Sequence, residues 1–469
     1  MDAQEKAFGD DGTDAFVITA AIDTLSGIVI DGGEGADSAH LIDSSSWVGS
    51  VSYSNGTLVR GISPVATIEN VASFYLTLGA GINSLKVLGV RPGVTLDVTQ
   101  LNSSDIVDIG DPDPVTARGL DTILGNVRLS APNTNDAVAI RLHDEFAPSG
   151  RNFAMSVVGN ETRISRPGFG TVTVVGFGVS SIDLYAGGYN DVVEVDGTKS
   201  GASTTINLGA GDDNVTIGTS TSLSSIAGPL TIAAGAGDDT IRFRYGSRGS
   251  STPAISAAGG DGSDTFRIDS PGNSISLAGV SLTDTGTGSV DLDHFDISGN
   301  ALTSMGTYGS VTGIESLDAS DNQLSTLSFP SGLVATGLTS LDLRYNDLDL
   351  AATGILNPLS ALSDLSSLLL YGNDYPLVER DAGNPIVPRL NALDAIKGKL
   401  LRIDLPPIGL DLAESISTED DAVAGIARAL HYLPLEIYEY VLNNYEYHVY
   451  AGRMKCPASV EIGMSGWLG

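Results

Sequence analysis

From about residue 8 to residue 290 the apolar positions come in short, β-branched stretches separated by turns rich in Gly, Asn, Asp and Ser. Thr204-Thr205-Ile206-Asn207-Leu208, for example, is followed by a turn and then by Asn214-Val215-Thr216-Ile217. This rhythm predicts an all-β segment. The turn itself recurs. It is complete at Gly259-Gly260-Asp261-Gly262-Ser263-Asp264-Thr265-Phe266, the pattern G-G-x-G-x-D-x-apolar, with looser copies at 9–16, 32–39, 78–85, 187–193, 208–215 and 234–241. The sixth position holds Asp14, Asp37, Asn83, Asp191, Asp213, Asp239 and Asp264; 14 to 37 is 23 residues, and the steps from 191 to 264 are 22, 26 and 25. A β-sandwich has hairpin turns without a constant motif. A turn repeated at coil length predicts a parallel β-helix-like solenoid, in which each coil pairs with the next and like turns stack. The stretch from about 90 to 180 carries no clear copy, so the solenoid there is decorated or interrupted.

From Leu292 the pattern becomes L-x-x-L-x-L-x-x-N-x-L. The asparagines of its four copies, Asn300, Asn322, Asn346 and Asn373, lie 22, 24 and 27 residues apart. The leucines of such a pattern fill the interior of each coil. The asparagine satisfies turn backbone groups whose burial without a partner costs about 1–3 kcal/mol each. These residues resemble the leucine-rich repeat family, which implies a row of short strands with an exposed face; Asp342, Arg344 and Tyr345 are the candidate ligand-binding residues on it.

After Pro406-Pro407 the composition changes again. Thr418-Glu419-Asp420-Asp421 offers a capping threonine with acids in the first turn, and Val423, Ile426, Ala427 and Leu430 follow at helical spacing. A second helix is expected over about 434–445, with Pro434 in its first turn. The fold class expected is therefore mainly β: a glycine-aspartate solenoid over 1–290, leucine-rich repeats over 291–407 and a short helical segment over 408–469. Leu435 to Tyr447, with Tyr450 to Lys455, resembles the opening helix of bacterial transglutaminase-like domains. That family's cysteine, histidine and aspartate triad lies further downstream, beyond Gly469. Cys456 with His431 or His448 is the remaining nucleophile and base pairing, and nothing in the sequence brings them together.

The chain of 469 residues has 57 acidic and 24 basic side chains, a net charge of −33. That balance argues against nucleic acid and anionic membranes, which need a basic face, and favours cations or basic surfaces. Cys456 is the sole cysteine, so neither a disulfide framework nor a thiolate zinc site is available. The start has no apolar leader, and no run is long enough to span a membrane. With the first turn already at Gly9 and no room before it for a cap, the chain reads as an internal piece of a larger protein.

The glycine-aspartate turns also resemble the calcium-binding repeats of secreted RTX proteins, which implies calcium held by aspartates and backbone carbonyls. The metal-ligand candidates are Asp14, Asp37, Asp191, Asp212, Asp213, Asp238, Asp239, Asp261 and Asp264. Carboxylates stacked about 4.8 Å apart repel by about 0.9 kcal/mol per pair in water and about 3.5 kcal/mol at an effective dielectric near 20. A hard, oxygen-seeking cation relieves that repulsion, and calcium tolerates irregular cages better than magnesium. In the alternative, each aspartate caps its own turn and points to water. The expected protein is a non-enzymatic, calcium-stabilised scaffold, extracellular or on a bacterial surface. It would be monomeric as a fragment, without a membrane span, and would offer repeat surfaces to a protein or polysaccharide. The competing readings are a β-helix polysaccharide lyase, with Arg242 to Tyr245 as its one basic-aromatic cluster, and an inactive piece of a transglutaminase-like enzyme.

Overall fold

The structure is a computed structural model. It describes residues 6–373, apart from 23, 46–48, 82, 103, 112–118, 246–252, 271–273, 285, 287–292, 331, 334–336, 350–353 and 371; beyond them it describes the strands Arg402–Asp404, His448–Tyr450 and Arg453–Lys455. The protein is mainly β, with mostly parallel, repeating sheets. His448 lies in the small antiparallel pair His448–Tyr450 and Arg453–Lys455. Both expected helices, His431 and Cys456 fall outside the described residues. The chain divides into two compact units, the first comprising 1–244, 248–262 and 286–288, and the second the remainder.

In the first unit, successive strands alternate between two ladders. One contains Asn83–Gly89, Ile106–Ile109, Val138–His143, Val179–Tyr185, Ser203–Ala210, Leu230–Ala236 and Ile255–Asp261, each parallel to the next. The other starts with Ala15–Ala20, Ser38–Asp43, Ser73–Thr77, Thr95–Thr99 and Asn126–Ser130. Every second side chain points inward, so register turns the sequence pattern into columns. Leu41, Leu76, Val98, Leu129 and Val174 pair in turn and are fully buried. Each such aliphatic side chain contributes about 1.5–3 kcal/mol.

Each ladder contains one three-strand antiparallel meander. Val172–Val175 pairs back with Asn126–Ser130, Glu161–Ser165 runs antiparallel beside it, and Asn152–Val158 pairs forward with Val192–Val195. Gly49–Ser54, Thr57–Arg60 and Ser63–Glu69 do the same in the other ladder, turning at Asn55-Gly56. Parallel strands therefore continue through the stretch without turn motifs, and decoration is added to them.

The glycines of the motif have a steric cause. Gly209, Gly235 and Gly260 stack with φ of 105°, 125° and 131°, a region that side chains rarely adopt. A Cβ on Gly235 would lie 2.0 Å from the carbonyl oxygen of Gly209, and one on Gly260 would lie 2.0 Å from that of Gly235. Gly211, Gly237 and Gly262 form a second such column.

The second unit carries shorter parallel strands, Thr265–Ile268, His294–Asp296, Ser316–Asp318, Ser340–Asp342, Ser367–Leu369 and Arg402–Asp404. Phe266, Phe295, Leu317, Leu341 and Leu368 form its buried column. Beside it run Asn300, Asn322, Asn346 and Asn373, all buried. Asn322 accepts from the N–H groups of Asn300 and Leu302, and its Nδ2 donates to the carbonyls of Ile297, Ala319 and Ser320. Asn346 accepts from Leu324 N–H, and Asn373 from Leu348 N–H. The residue before each asparagine, Gly299, Asp321, Tyr345 or Gly372, has a left-handed φ between 52° and 79°.

Candidate metal centre

One position recurs through both units: the residue immediately before a strand begins. It is Asp14, Asp37, Asp191, Asp213 and Asp239 in the first unit, and Asp264, Asp293 and Glu315 in the second. Its side chain accepts the backbone N–H of the equivalent residue in an earlier turn. Asp14 N–H donates to Asp37 Oδ1 at 2.7 Å, Asp191 N–H to Asp213 at 2.6 Å and Asp213 N–H to Asp239 at 2.7 Å. In the second unit Asp264 N–H donates to Asp293 at 2.9 Å and Asp293 N–H to Glu315 Oε2 at 3.0 Å. In two of these aspartates the other oxygen turns to the residue's own turn: Asp14 Oδ2 accepts from Asp10 N–H, and Asp191 Oδ2 from Gly187 N–H, whereas Oδ2 of Asp37 and of Asp213 is buried without a hydrogen bond.

Asp37, Asp191, Asp213, Asp239 and Asp293 thus accept backbone amides, and Asp37, Asp191, Asp213, Asp239 and Asp264 are themselves at most 2% exposed. Burial is the main cause of raised pKa values at Asp191 and Asp213. At Asp213 the charges of Asp191 and Asp212 add to it against the N–H bond from Asp191, and its carboxyl is pushed up to about 6. Asp212 and Asp238 form a parallel, exposed ladder, with Asp212 N–H on Asn190 Oδ1 and Asp238 N–H on Asp212 Oδ1. Asp261 is exposed, and its carbonyl accepts the N–H of Gly237.

Only at one place among the described residues do three potential ligand side chains converge. Carboxylate oxygens of Asp264, Asp284 and Asp293 all lie within 4.8 Å of one another, and the three residues are buried. Asp264 and Asp293 come from successive strand starts; Asp284 follows the strand Ser276–Thr283 and is held by its N–H to the carbonyl of Thr312 at 3.0 Å. Three ionised carboxylates at that separation repel by several kcal/mol per pair at an effective dielectric near 20. Protons or a hard divalent cation relieve this, and an all-oxygen donor set suits calcium or magnesium. The cluster is thus able to coordinate a divalent cation.

Asp264 was legible from its motif, whereas Asp284 and Asp293 were not. Asp293 sits among the leucine positions, where the available signal was an acid directly ahead of an apolar strand, one ladder step beyond Asp264. Asp284 has no motif around it.

The surface residues expected to bind a ligand behave differently from one another. Asp342 is buried, and Arg344 folds onto it with Nε at 3.0 and 2.9 Å and Nη2 at 2.6 Å. Tyr345 is half exposed. Asp342 stacks in register with Asp318 and Asp296; burial, then the charges of Asp342 and Asp296, raise the Asp318 carboxyl against its bonds from Ser320. In the basic-aromatic cluster, Arg244 is paired with Glu194 at 2.7 Å and with Asp196 at 3.6 Å.

The chain matches no family model, and it matches no curated protein. No helix among the described residues is long and apolar enough to cross a membrane.

Proposed function

We propose that this protein is a non-enzymatic scaffold, a β-solenoid continued by coils of the leucine-rich repeat type, stabilised by calcium and presenting its strand faces to a ligand outside the cell. The observation that carries the reading is the buried Asp264, Asp284 and Asp293 cluster, whose mutual repulsion a calcium ion offsets. The repeated parallel strands support the scaffold role, because stacked coils build long, rigid surfaces. In the first unit the aspartates act mainly as staples between turns. Calcium there, at Asp14, Asp37, Asp191, Asp212, Asp213, Asp238, Asp239 or Asp261, has to use the oxygens left over from the staples: at Asp37 and Asp213 one oxygen accepts an amide proton and the other is buried without a hydrogen bond.

The test is thermal unfolding of EDTA-treated protein titrated with calcium. A ligand that binds only the native state raises the melting temperature by mass action. A saturating rise that magnesium does not reproduce, and that Asp284→Asn removes, is the expected result. No calcium-specific rise, or one untouched by Asp284→Asn, overturns the assignment.

A further inference from the structure

We propose that the outward face of the second ladder in the first unit binds a neutral, linear polysaccharide laid across its strands. This deepens the reading of the protein as a presenting scaffold and rests on it. Register places His40, Tyr75, Asp97, Arg128, Thr173 and Arg163 in one row over six hydrogen-bonded strands. A pyranose ring in an extended β-linked chain advances by about 5 Å, close to the roughly 4.8 Å between paired strands. One sugar therefore meets one strand, and a row of side chains in register becomes a row of subsites.

The chemistry of the row suits sugars. At one end the rings of His40 and Tyr75 are 5.7 Å apart and tilted by 57°, with Tyr75 37% exposed, offering an aromatic surface to the C–H face of a pyranose. Next to them Thr77 bonds both His40 Nε2 and Thr99 Oγ1, at 2.8 and 2.9 Å, fixing the imidazole. At the other end the antiparallel meander opens a groove of about 480 Å³, lined among others by Thr95, Asn126, Ser156, Ser165 and Thr171. Arg128 and Arg163 both reach Glu161 there at 3.0 Å, and Arg128 lies 3.6 Å from Asp97. Paired guanidinium and carboxylate groups present planar donors beside planar acceptors, the combination that engages vicinal hydroxyls.

Charge selects the ligand class. Arg128, Arg163 and Glu161 line the groove, and Asp97 beside it, 3.6 Å from Arg128, brings this end of the row to two acids and two bases, balanced within a chain whose net charge is −33. The overall field repels a polyuronate, and the balanced groove gives it no compensating attraction. A neutral glycan avoids both effects.

The experiment is calorimetric titration of the whole, calcium-loaded chain with cello-, xylo- and manno-oligosaccharides of increasing length, and with an oligogalacturonate. Expected are saturable binding of one neutral series, affinity that rises with length, and a loss of at least tenfold in both Tyr75→Ala and Arg163→Ala. The calcium-dependent rise in melting temperature should be the same in these variants, so failure of this site and failure of the calcium site read out separately. Binding of none of the neutral sugars, binding of the uronate alone, or neutral binding that both variants retain would each overturn the proposal.

Discussion

The backbone N–H of Asp191 donates to Oδ1 of Asp213 at 2.6 Å, although 22 residues separate them in the chain. The carboxylate thus joins two neighbouring turns, and its usefulness depends on an oxygen atom and not on charge. Asp213 is 2% exposed, and its pKa is raised from 3.8 to about 6.

Asp213→Asn keeps the accepting oxygen and removes the buried charge. The native state holds a proton that the unfolded chain has released between about pH 4 and 6, so the stability linked to this group is complete below about 3.8 and lost as pH rises through about 6. The variant should melt a few degrees above the parent at pH 7.5, by on the order of 1–3 kcal/mol, with the difference vanishing near pH 4. Scans of both proteins across that range check it. A variant less stable at pH 7.5 would mean that the charge is used, as by a bound cation.

At His143 it is the charged form that folding favours. Burial alone would lower its pKa, but hydrogen bonds and charges from Asp108, at 3.2 Å, and Glu145, at 3.0 Å, outweigh it and raise the imidazole to about 9. The ring also stacks on Tyr185 at 5.2 Å. The stabilisation is full below about pH 6.5 and fades as pH rises through about 9. His143→Gln should therefore lower the urea midpoint at pH 6 and do so much less at pH 10, while the parent's ring protons titrate near 9 by NMR.

Gly235→Ala places a Cβ 2.0 Å from a backbone oxygen at a φ of 125°, and neither strain can be relieved by a side-chain rotation. Loss of several kcal/mol is expected, against a near-neutral Gly188→Ala, whose Cβ meets nothing within 4 Å. Equilibrium denaturation of the pair distinguishes column packing from a general intolerance of turns.

Asn322→Ala strips two buried N–H groups of their acceptor and three carbonyls of a donor. A loss on the order of 3–5 kcal/mol is expected. Asn322→Asp should do no better at neutral pH, since its carboxylate faces the same carbonyls, and should recover in part on acidification. Denaturation at pH 7 and pH 4 is the check.

What could be read from the residues alone follows from how local each cause is. The leucine and asparagine spacing showed the short strands, because part of each asparagine's bonding is local: Asn322 and Asn346 donate to carbonyls two and three residues back, although their oxygens serve the coil before. The glycine columns were visible as a motif, but their reason, the approach of one glycine carbonyl to the next glycine, exists only after stacking. The aspartates were expected to hold calcium or to cap their own turns and face water; most of them also accept an amide from a neighbouring turn, which no single turn reveals. Asp284 joins Asp264 and Asp293 from a separate strand end, so nothing near it in sequence marks it. The meander at Asn55-Gly56 carries a hairpin signal of its own, flanked by Val51, Tyr53 and Leu58, which does not share the constant glycine-aspartate turn.

In both meanders the order of the strands in the ladder is inverted relative to their order in the chain. Gly49–Ser54 is made before Ser63–Glu69, yet the later strand covers the earlier neighbour Ile28–Asp31, while the first one waits for Asn83–Gly89. Asn152–Val158 and Val172–Val175 repeat the inversion in the other ladder. A solenoid that adds its coils in chain order from the N-terminal side would have to add each of these two meanders as one three-strand block.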